Sequence, residues 1–409
     1  MATKARLSQS RLARPDRPIY RLAARIQDHQ YFPDPSPLYA VMGALVGNMI
    51  KGNPVWLALI GGSGLGKTEL LYGLLSLPNV YECGDLSGPG AFLSGVGRRE
   101  RTKDATGGLL RKVGDHGALI IEDFTTSVLD LPRDDRKRVM GALRRVYNGR
   151  YNREMGTDGG TSLGWEGKVG ILAGGTPNID QQSIEAEGLG ERWAYYRYPN
   201  TDGWGEARAA ANKVDPMKSR IAIQEGIFQL ISDMELYWGD ERERRELKSI
   251  EYNRIISLAS LSCKMRSGVK RDPFSREIID APEPGAEAPT RLTTILTQLF
   301  LGFELLGLHE DDCWRMTSKI AFDSAPQLRS SIIRMCLLAD ETMQGDQPIS
   351  MPELRVVLKC SMGSIERAVE ELWVHGLLIR EGKGEKLVVW LTDWTKAEMG
   401  KQHWNGTGK

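Results

Sequence analysis

Apolar positions along this chain follow two different periods, and the change comes near Trp204. Before it stand four short, unbroken apolar runs bounded by glycines or turn residues: VWLALIGG from Val55, Val80 to Cys83, Ala118 to Ile121, and Val169 to Ala173. A strand buried on both faces has no polar side to alternate with, so such runs predict the interior of a parallel sheet. The segments between them are long enough for crossover helices, which predicts an α/β core. Beyond Trp204 the stretches Ile221 to Tyr237, Glu241 to Met265 and Arg291 to Leu308 repeat with helical spacing, and strand signals vanish. A helical second domain is expected there, interrupted by the run DAPEPGAEAPT.

From Gln347 the pattern changes again, to two short helices at helix-turn-helix spacing followed by two strands around Glu381-Gly382-Lys383-Gly384. This is a winged-helix pattern, with Ser361 to Val374 in the position of a recognition helix and Lys383 and Lys386 at or beside the wing tip. Ahead of the core, residues 1–35 carry Lys4, Arg6, Arg11, Arg14, Arg17, Arg21 and Arg25 against few acids and end in FPDPSP, which reads as a basic arm and linker.

Composition narrows the function classes. With 409 residues the chain is long for one core. A formal net charge of +1 means that contact with a polyanion has to come from local patches. The five cysteines, Cys83, Cys263, Cys313, Cys336 and Cys360, are scattered and never form C-x-x-C, against a disulfide framework or a zinc site. The most apolar stretch, Ile295 to Leu308, carries Glu304 and is too short to span a bilayer, so a cytoplasmic protein without membrane contact is expected.

The chemistry is concentrated at Gly61-Gly62-Ser63-Gly64-Leu65-Gly66-Lys67-Thr68, a complete G-x-x-x-x-G-K-[ST] signature between an apolar strand and the helical run Glu69 to Leu77. Glycines let backbone amides turn inward onto phosphates, Lys67 reaches the β and γ phosphates, and the Thr68 hydroxyl ligates magnesium, which makes ATP and Mg²⁺ the expected cofactors. Such a site needs a metal carboxylate and a base at the end of a neighbouring strand. ALIIEDF supplies Glu122 and Asp123 in the reverse of the usual order, so their roles as metal ligand and base stay open at this point.

With these motifs the sequence resembles the AAA+ superfamily from about Leu38 to Ala339. The resemblance implies sensor 1 in AGGTPN, with Thr176 or Asn178 orienting the attacking water. It implies an arginine finger at Arg192 in GLGERWAYYRY, with Arg197 second, and a sensor 2 at Arg291. The order of segments from Leu93 to Asn178 is similar to that of minichromosome maintenance helicases, and the whole pattern also to ATPases of phages and integrative elements. That clade carries a helix-2 insert, here with Arg98, Arg99 and Arg101, and a hairpin before sensor 1, here with flanks Gly149 to Met155 and Ser162 to Val169 around Gly156 to Gly160, bearing Arg150 and Arg153.

The expected architecture is therefore α/β: a P-loop NTPase (AAA+) αβα core with a parallel sheet over 36–205, an all-α lid over 206–340, a winged helix over 341–397 and a tail over 398–409. The expected function is an ATP-hydrolysing motor or switch on DNA, assembling as a ring or filament, hexameric by resemblance, with nucleotide at subunit interfaces. A protein-remodelling machine, a slowly hydrolysing ATP-gated scaffold, and a protein partner for the winged helix are the alternatives.

Overall fold

The computed structural model describes residues 17–400, apart from 30, 85, 87, 95–106, 156–160, 181–191, 200–202, 213–215, 241, 270, 273, 276, 280–286 and 344–346. The chain divides into two compact units: the first holds residues up to Gln182, Arg192–Arg245 and Thr297–Thr317, the second Glu246–Leu296 and Ser318 onward. Strands of the first unit are β1 (Trp56–Ile60), β2 (Val80–Glu82), β3 (His116–Ile121), β4 (Arg150–Met155), β5 (Thr161–Glu166), β6 (Lys168–Gly175) and β7 (Trp193–Arg197). Its helices are α1 (Pro18–His29), α2 (Ser36–Asn48), α3 (Lys67–Gly73), α4 (Leu109–Val113), α5 (Arg133–Tyr147), α6 (Trp204–Asn212) and α7 (Pro216–Asp233).

Five of the strands form one parallel sheet in the order β2-β3-β6-β1-β7. The apolar runs read from the sequence are β1, β2, β3 and β6; β7 is an addition, because WAYYR carries polar atoms and an arginine yet every residue of it is buried. Two layers of helix cover the sheet. On one face Gly170 of β6 lets Asn48 of α2 approach, where a Cβ would stand 2.4 Å from the Asn48 amide nitrogen. On the other face Trp56 meets Tyr147 of α5 edge-on at 5.1 Å and Trp193 at 5.4 Å, and Phe124 closes on Trp193 at 4.7 Å. Aromatic pairs of this geometry contribute about 0.5–1.5 kcal/mol each beyond the area they bury. Trp193 and Trp165 are buried, whereas Trp204 is 79% exposed.

The basic arm is not all arm. Residues 18–29 form α1, whose Ile19, Leu22, Ala23 and Ile26 lie at helical spacing and are buried, and α1 packs on α7. Its charges are used locally: Arg25 pairs with Glu225 at 3.0 Å, and the Arg17 guanidinium donates to the carbonyls of Gly307 and Leu308. The segment from Arg242 to Arg245, rich in helix formers, is also not helical. Arg242 forms a backbone bridge with Ile50, and Arg245 grips Glu304 through two hydrogen bonds of 2.7 and 2.9 Å. Tertiary pairing overrides local propensity at this point.

Three glycines set a close helix crossing in the first unit. Helix α8 (Ser249–Arg266) precedes α9 (Thr290–Leu305), and the part of α9 after Thr297 runs against α2. A Cβ on Gly302 would stand 2.2 Å from the Gly43 carbonyl oxygen, one on Gly47 2.8 Å from the Gln298 carbonyl oxygen, and one on Gly43 2.1 Å from the Phe303 ring. Next to this contact the Asn48 side chain donates to Ala44 and Val55 and accepts from the Val55 N–H, which fixes the turn into β1.

The second unit combines α8 with α10 (Glu310–Asp323) from Ser318 onward, α11 (Gln327–Met343), β8 (Ile349–Ser350), α12 (Met351–Leu358), α13 (Met362–Val374), β9 (Leu378–Glu381), β10 (Val388–Leu391) and α14 (Asp393–Gly400). The three strands make an antiparallel sheet in the order β8-β10-β9. A buried ionic knot joins its helices: Arg329 pairs with Glu371 of α13 and donates to the Met265 and Ser267 carbonyls, while Arg271 pairs with Glu370 at 2.6 Å. Among the described residues no helix is long and apolar enough to cross a membrane, and the cysteines are free thiols.

Gly302→Ala is expected to lower the denaturant midpoint of the first unfolding transition by the equivalent of about 1–3 kcal/mol, since both backbones must separate. Gly141→Ala, at a helical site where an added Cβ meets nothing within 4 Å, is expected to raise stability by about 0.5–1 kcal/mol. Equal effects of the two substitutions would contradict the close crossing.

Candidate functional site

The register of the parallel sheet brings four strand ends to one edge. Ile60 of β1 is level with Gly175 of β6 and Arg197 of β7, and Ile121 of β3 is level with Ala173 of β6. The chain from β1 runs to an edge strand two positions beyond its neighbour, while β6 and β7 flank it. A strand order that diverges in this way opens a crevice beyond the carboxyl ends of the strands, the usual ligand position in open α/β sheets.

The Gly61–Thr68 loop leaves β1 into this crevice. Its first residue is pinned, with the Gly61 N–H donating to the Gly175 carbonyl at 3.1 Å and Leu65 and Tyr198 closing around its Cα. The next positions are open: Gly62, Ser63, Gly64 and Gly66 are exposed, and a Cβ on any of those three glycines would meet nothing within 4 Å. Gly64 and Gly66 take φ of +84° and +76°, so an L side chain would be strained there even with that space. Left-handed residues alternating with right-handed ones let successive N–H groups converge on an anion. The Lys67 ammonium arches back over the loop, donating to the Gly61 carbonyl at 2.9 Å and the Gly62 carbonyl at 2.6 Å. Burial lowers its pKa, and the charge of Asp123 works against that shift.

Glu122 and Asp123 diverge. The Asp123 carboxylate accepts the Thr125 N–H at 2.9 Å and is the acid whose field reaches Lys67. The Glu122 carboxylate accepts from the Tyr72 hydroxyl at 2.9 Å, and the same hydroxyl lies 3.0 Å from Glu82. A phenol has one proton to give, so Glu122 and Glu82 compete for it. Burial, and then the bond to Glu122, raise the Tyr72 pKa. Arg220 of α7 lies 5.2 Å over the Tyr72 ring and donates to both oxygens of Glu69, at 2.8 and 3.0 Å, directly after Thr68.

Thr176 closes the edge between β6 and β3. Its N–H donates to the Thr125 hydroxyl at 3.0 Å, with the two hydroxyls 3.4 Å apart, while Asn178 is exposed in the following turn. Gly61 to Glu69, Glu122, Asp123 and Thr176 are thus gathered at one edge of one sheet. The remaining expected residues are not. Arg192 precedes β7 at the far end of the sheet, 8% exposed, with its guanidinium 5.6 Å over the Tyr147 ring and its pKa lowered by burial. Arg197, level with Ile60, is the arginine at the crevice edge, and it is held in a bidentate pair with Asp180 at 2.7 and 3.0 Å. Arg291 is exposed at the start of α9 in the second unit.

The basic residues proposed for nucleic acid divide as well. Arg98, Arg99 and Arg101 lie outside the described residues. The hairpin pairs β4 with β5 in the register Arg150 to Glu166 through Met155 to Thr161, and its tip at 156–160 is likewise outside them. Arg150 points outward and pairs across the strands with Glu166 at 3.2 Å, whereas Arg153 points inward and caps the Leu93 carbonyl at 2.7 Å. Lys383 and Lys386 are exposed in the turn between β9 and β10.

No family model and no curated protein matches this chain. The geometry therefore carries the functional argument alone. It adds Tyr72, Glu82, Asp180 and Arg220, which no local motif singles out; Arg220 and Glu69 are 151 positions apart. Asp180→Ala is expected to destabilise the first unit by on the order of 3 kcal/mol, because it strips the bidentate partner from a buried guanidinium. A midpoint unchanged from that of the parent would show that Arg197 is held by its other contacts.

Proposed function

We propose that this chain is a magnesium-dependent ATPase of the AAA+ type that works on DNA. The observation that carries the reading is the Gly61–Thr68 loop itself: an open, left-handed, glycine-lined cradle crossed by one lysine, facing the carboxylate of Asp123. Anions fit it, since a glycine-rich turn at a helix start offers backbone N–H groups and Lys67 adds an ammonium. A hard divalent cation fits the same edge, held by the Thr68 hydroxyl, Asp123 and phosphate oxygens together, because magnesium keeps few protein ligands in such sites. Among the described residues no three His, Cys, Asp or Glu side chains gather into a metal-holding group, so a cation would depend on the nucleotide for the rest of its shell.

The two carboxylates take separate roles on this reading. Asp123, in the field of Lys67, is the metal carboxylate. Glu122, bonded to Tyr72, is the base for the attacking water, with Thr176 orienting that water from the end of β6. Bound magnesium supplies charge neutralisation on the β and γ phosphates. With nucleotide bound, Lys67 would exchange its two loop carbonyls for phosphate oxygens. Arg220 keeps α7 attached to α3 through Glu69, so a displacement of the loop passes to the helical part of the unit.

Assembly as a ring or filament with nucleotide between subunits belongs to the same proposal, as do a cytoplasmic location and a winged-helix module at the C-terminus. Arg192 is remote from its own loop, which suits a residue serving a neighbour, but its guanidinium must first leave Tyr147. The hairpin favours DNA less than its sequence suggests, since Arg153 is committed to Leu93 and Arg150 to Glu166. The winged-helix module, with its exposed lysines, is the stronger support for the DNA reading.

Lys67→Ala is expected to abolish turnover. Glu122→Gln should retain magnesium-dependent nucleotide binding while turnover falls by roughly 10²-fold or more, the typical worth of a general base, whereas Asp123→Asn should lose the magnesium dependence of binding. Steady-state phosphate release and binding with and without magnesium separate the outcomes. Full turnover in both carboxylate variants would place the catalytic acids elsewhere.

A further inference from the structure

Cations of the second unit differ in how far they are committed. Lys264, Arg266, Arg271, Arg329, Arg334, Arg380 and Lys396 are all tied to carboxylates, carbonyls or aromatic rings. Arg355, Lys359, Arg367, Lys383 and Lys386, by contrast, make no ion pair or side-chain hydrogen bond among the described residues, and all five are exposed. These five lie on α12, the turn that follows it, the first half of α13, and the turn between β9 and β10, while Lys248 and Arg291 are exposed elsewhere in the unit.

Three details concentrate this charge on α12. Arg355 lies in the last turn of α12 and Lys359 caps that turn, its N–H donating to the Arg355 carbonyl at 2.9 Å. The Gly384–Lys386 turn packs against α12, which brings the segment holding Lys383 and Lys386 to the same helix. Lys359 itself adopts φ +53°, ψ +34° at the C-cap, where glycine is the unstrained choice. A lysine held there at a backbone cost of about 1 kcal/mol, with its side chain in solvent, points to a use for its charge outside the chain. The acid on the helix, Glu353, accepts from the Ser350 hydroxyl and N–H, which lower its pKa and hold the carboxylate at the N-terminal end, away from Arg355's turn. Helix α13 is less suited to a polyanion. Its outward positions include Glu366 beside Arg367, and its Glu370 is spent on Arg271.

We infer that α12, the Lys359 turn and the Lys383–Lys386 turn form a clamp for the phosphate backbone of duplex DNA, and that α13 is not the principal contact. This rests on the DNA reading above and names its surface. Contacts made by lysine and arginine to phosphates carry no base information, so the clamp binds without sequence preference. Each phosphate neutralised adds about 0.9 to the salt slope of binding.

The test uses the full chain and a labelled duplex of arbitrary sequence, with anisotropy read at several salt concentrations. The double variant Arg355→Glu, Lys359→Glu is expected to bind at least tenfold more weakly at low salt, with a salt slope reduced by roughly two, and to keep the parent's thermal midpoint and basal turnover. Arg367→Glu should have a smaller effect, and Val356→Ala, an uncharged change on the exposed surface of α12, none. If the parent binds DNA and the double variant matches it, the clamp is wrong and the DNA reading stands. A parent that binds no duplex at low salt overturns both. Loss of binding in Val356→Ala equal to that in the double variant would make α12 an apolar docking face instead.

Discussion

The candidate site depends on one set of hydrogen bonds, those that hold β1 parallel between β6 and β7. Through them the Gly61 N–H reaches the Gly175 carbonyl and the Tyr198 N–H reaches the Ile60 carbonyl at 2.8 Å. A slip of one residue in this register would turn every side chain of β1 to the other face, lifting Trp56 off Tyr147 and moving the loop away from Asp123. The aromatic packing beneath the sheet and the glycine-rich loop at its edge are therefore parts of one constraint. Gly174 shows how tight it is, since a Cβ there would stand 2.2 Å from the Glu122 carbonyl oxygen.

Charge is arranged on the same principle of commitment. Around the loop, Arg220 is bound to Glu69 and Arg197 to Asp180, and the only ammonium in the loop is Lys67, which rests on two carbonyls it can give up. Surface ion pairs contribute little to stability, but bidentate, partly buried ones fix geometry. Arg220 and Arg197 thus hold α7 and the β7 edge in place around a loop whose own residues remain open. In the second unit the Arg329–Glu371 pair does the same for α13, leaving the exposed cations of α12 uncommitted.

The strands β1, β2, β3 and β6 were legible because burial on both faces leaves an unbroken apolar run, and the loop was legible because its glycines and lysine are consecutive. Strand β7 was not, since Trp193, Tyr195 and Tyr196 are buried by tertiary packing that their polar atoms conceal. Helix α1 was obscured by its arginines, although Ile19, Leu22, Ala23 and Ile26 carry the helical period. The segment at Arg242 reads as helix and is instead captured by Ile50 and Glu304. Within the site, Glu122 and Asp123 were legible as a pair and not as separate roles, because what divides them is Tyr72 on one side and Lys67 on the other, contacts between residues some fifty positions apart.

The central claim is that the Gly61–Thr68 loop holds the phosphates of a nucleoside triphosphate. Titration of the full chain with a fluorescent ATP analogue, with magnesium present, tests it without requiring hydrolysis, an oligomer or DNA. The account predicts saturable binding that ATP and ADP displace and AMP does not, because the loop grips the β and γ phosphates. No saturable binding, or displacement by AMP as effective as by ATP, would contradict it.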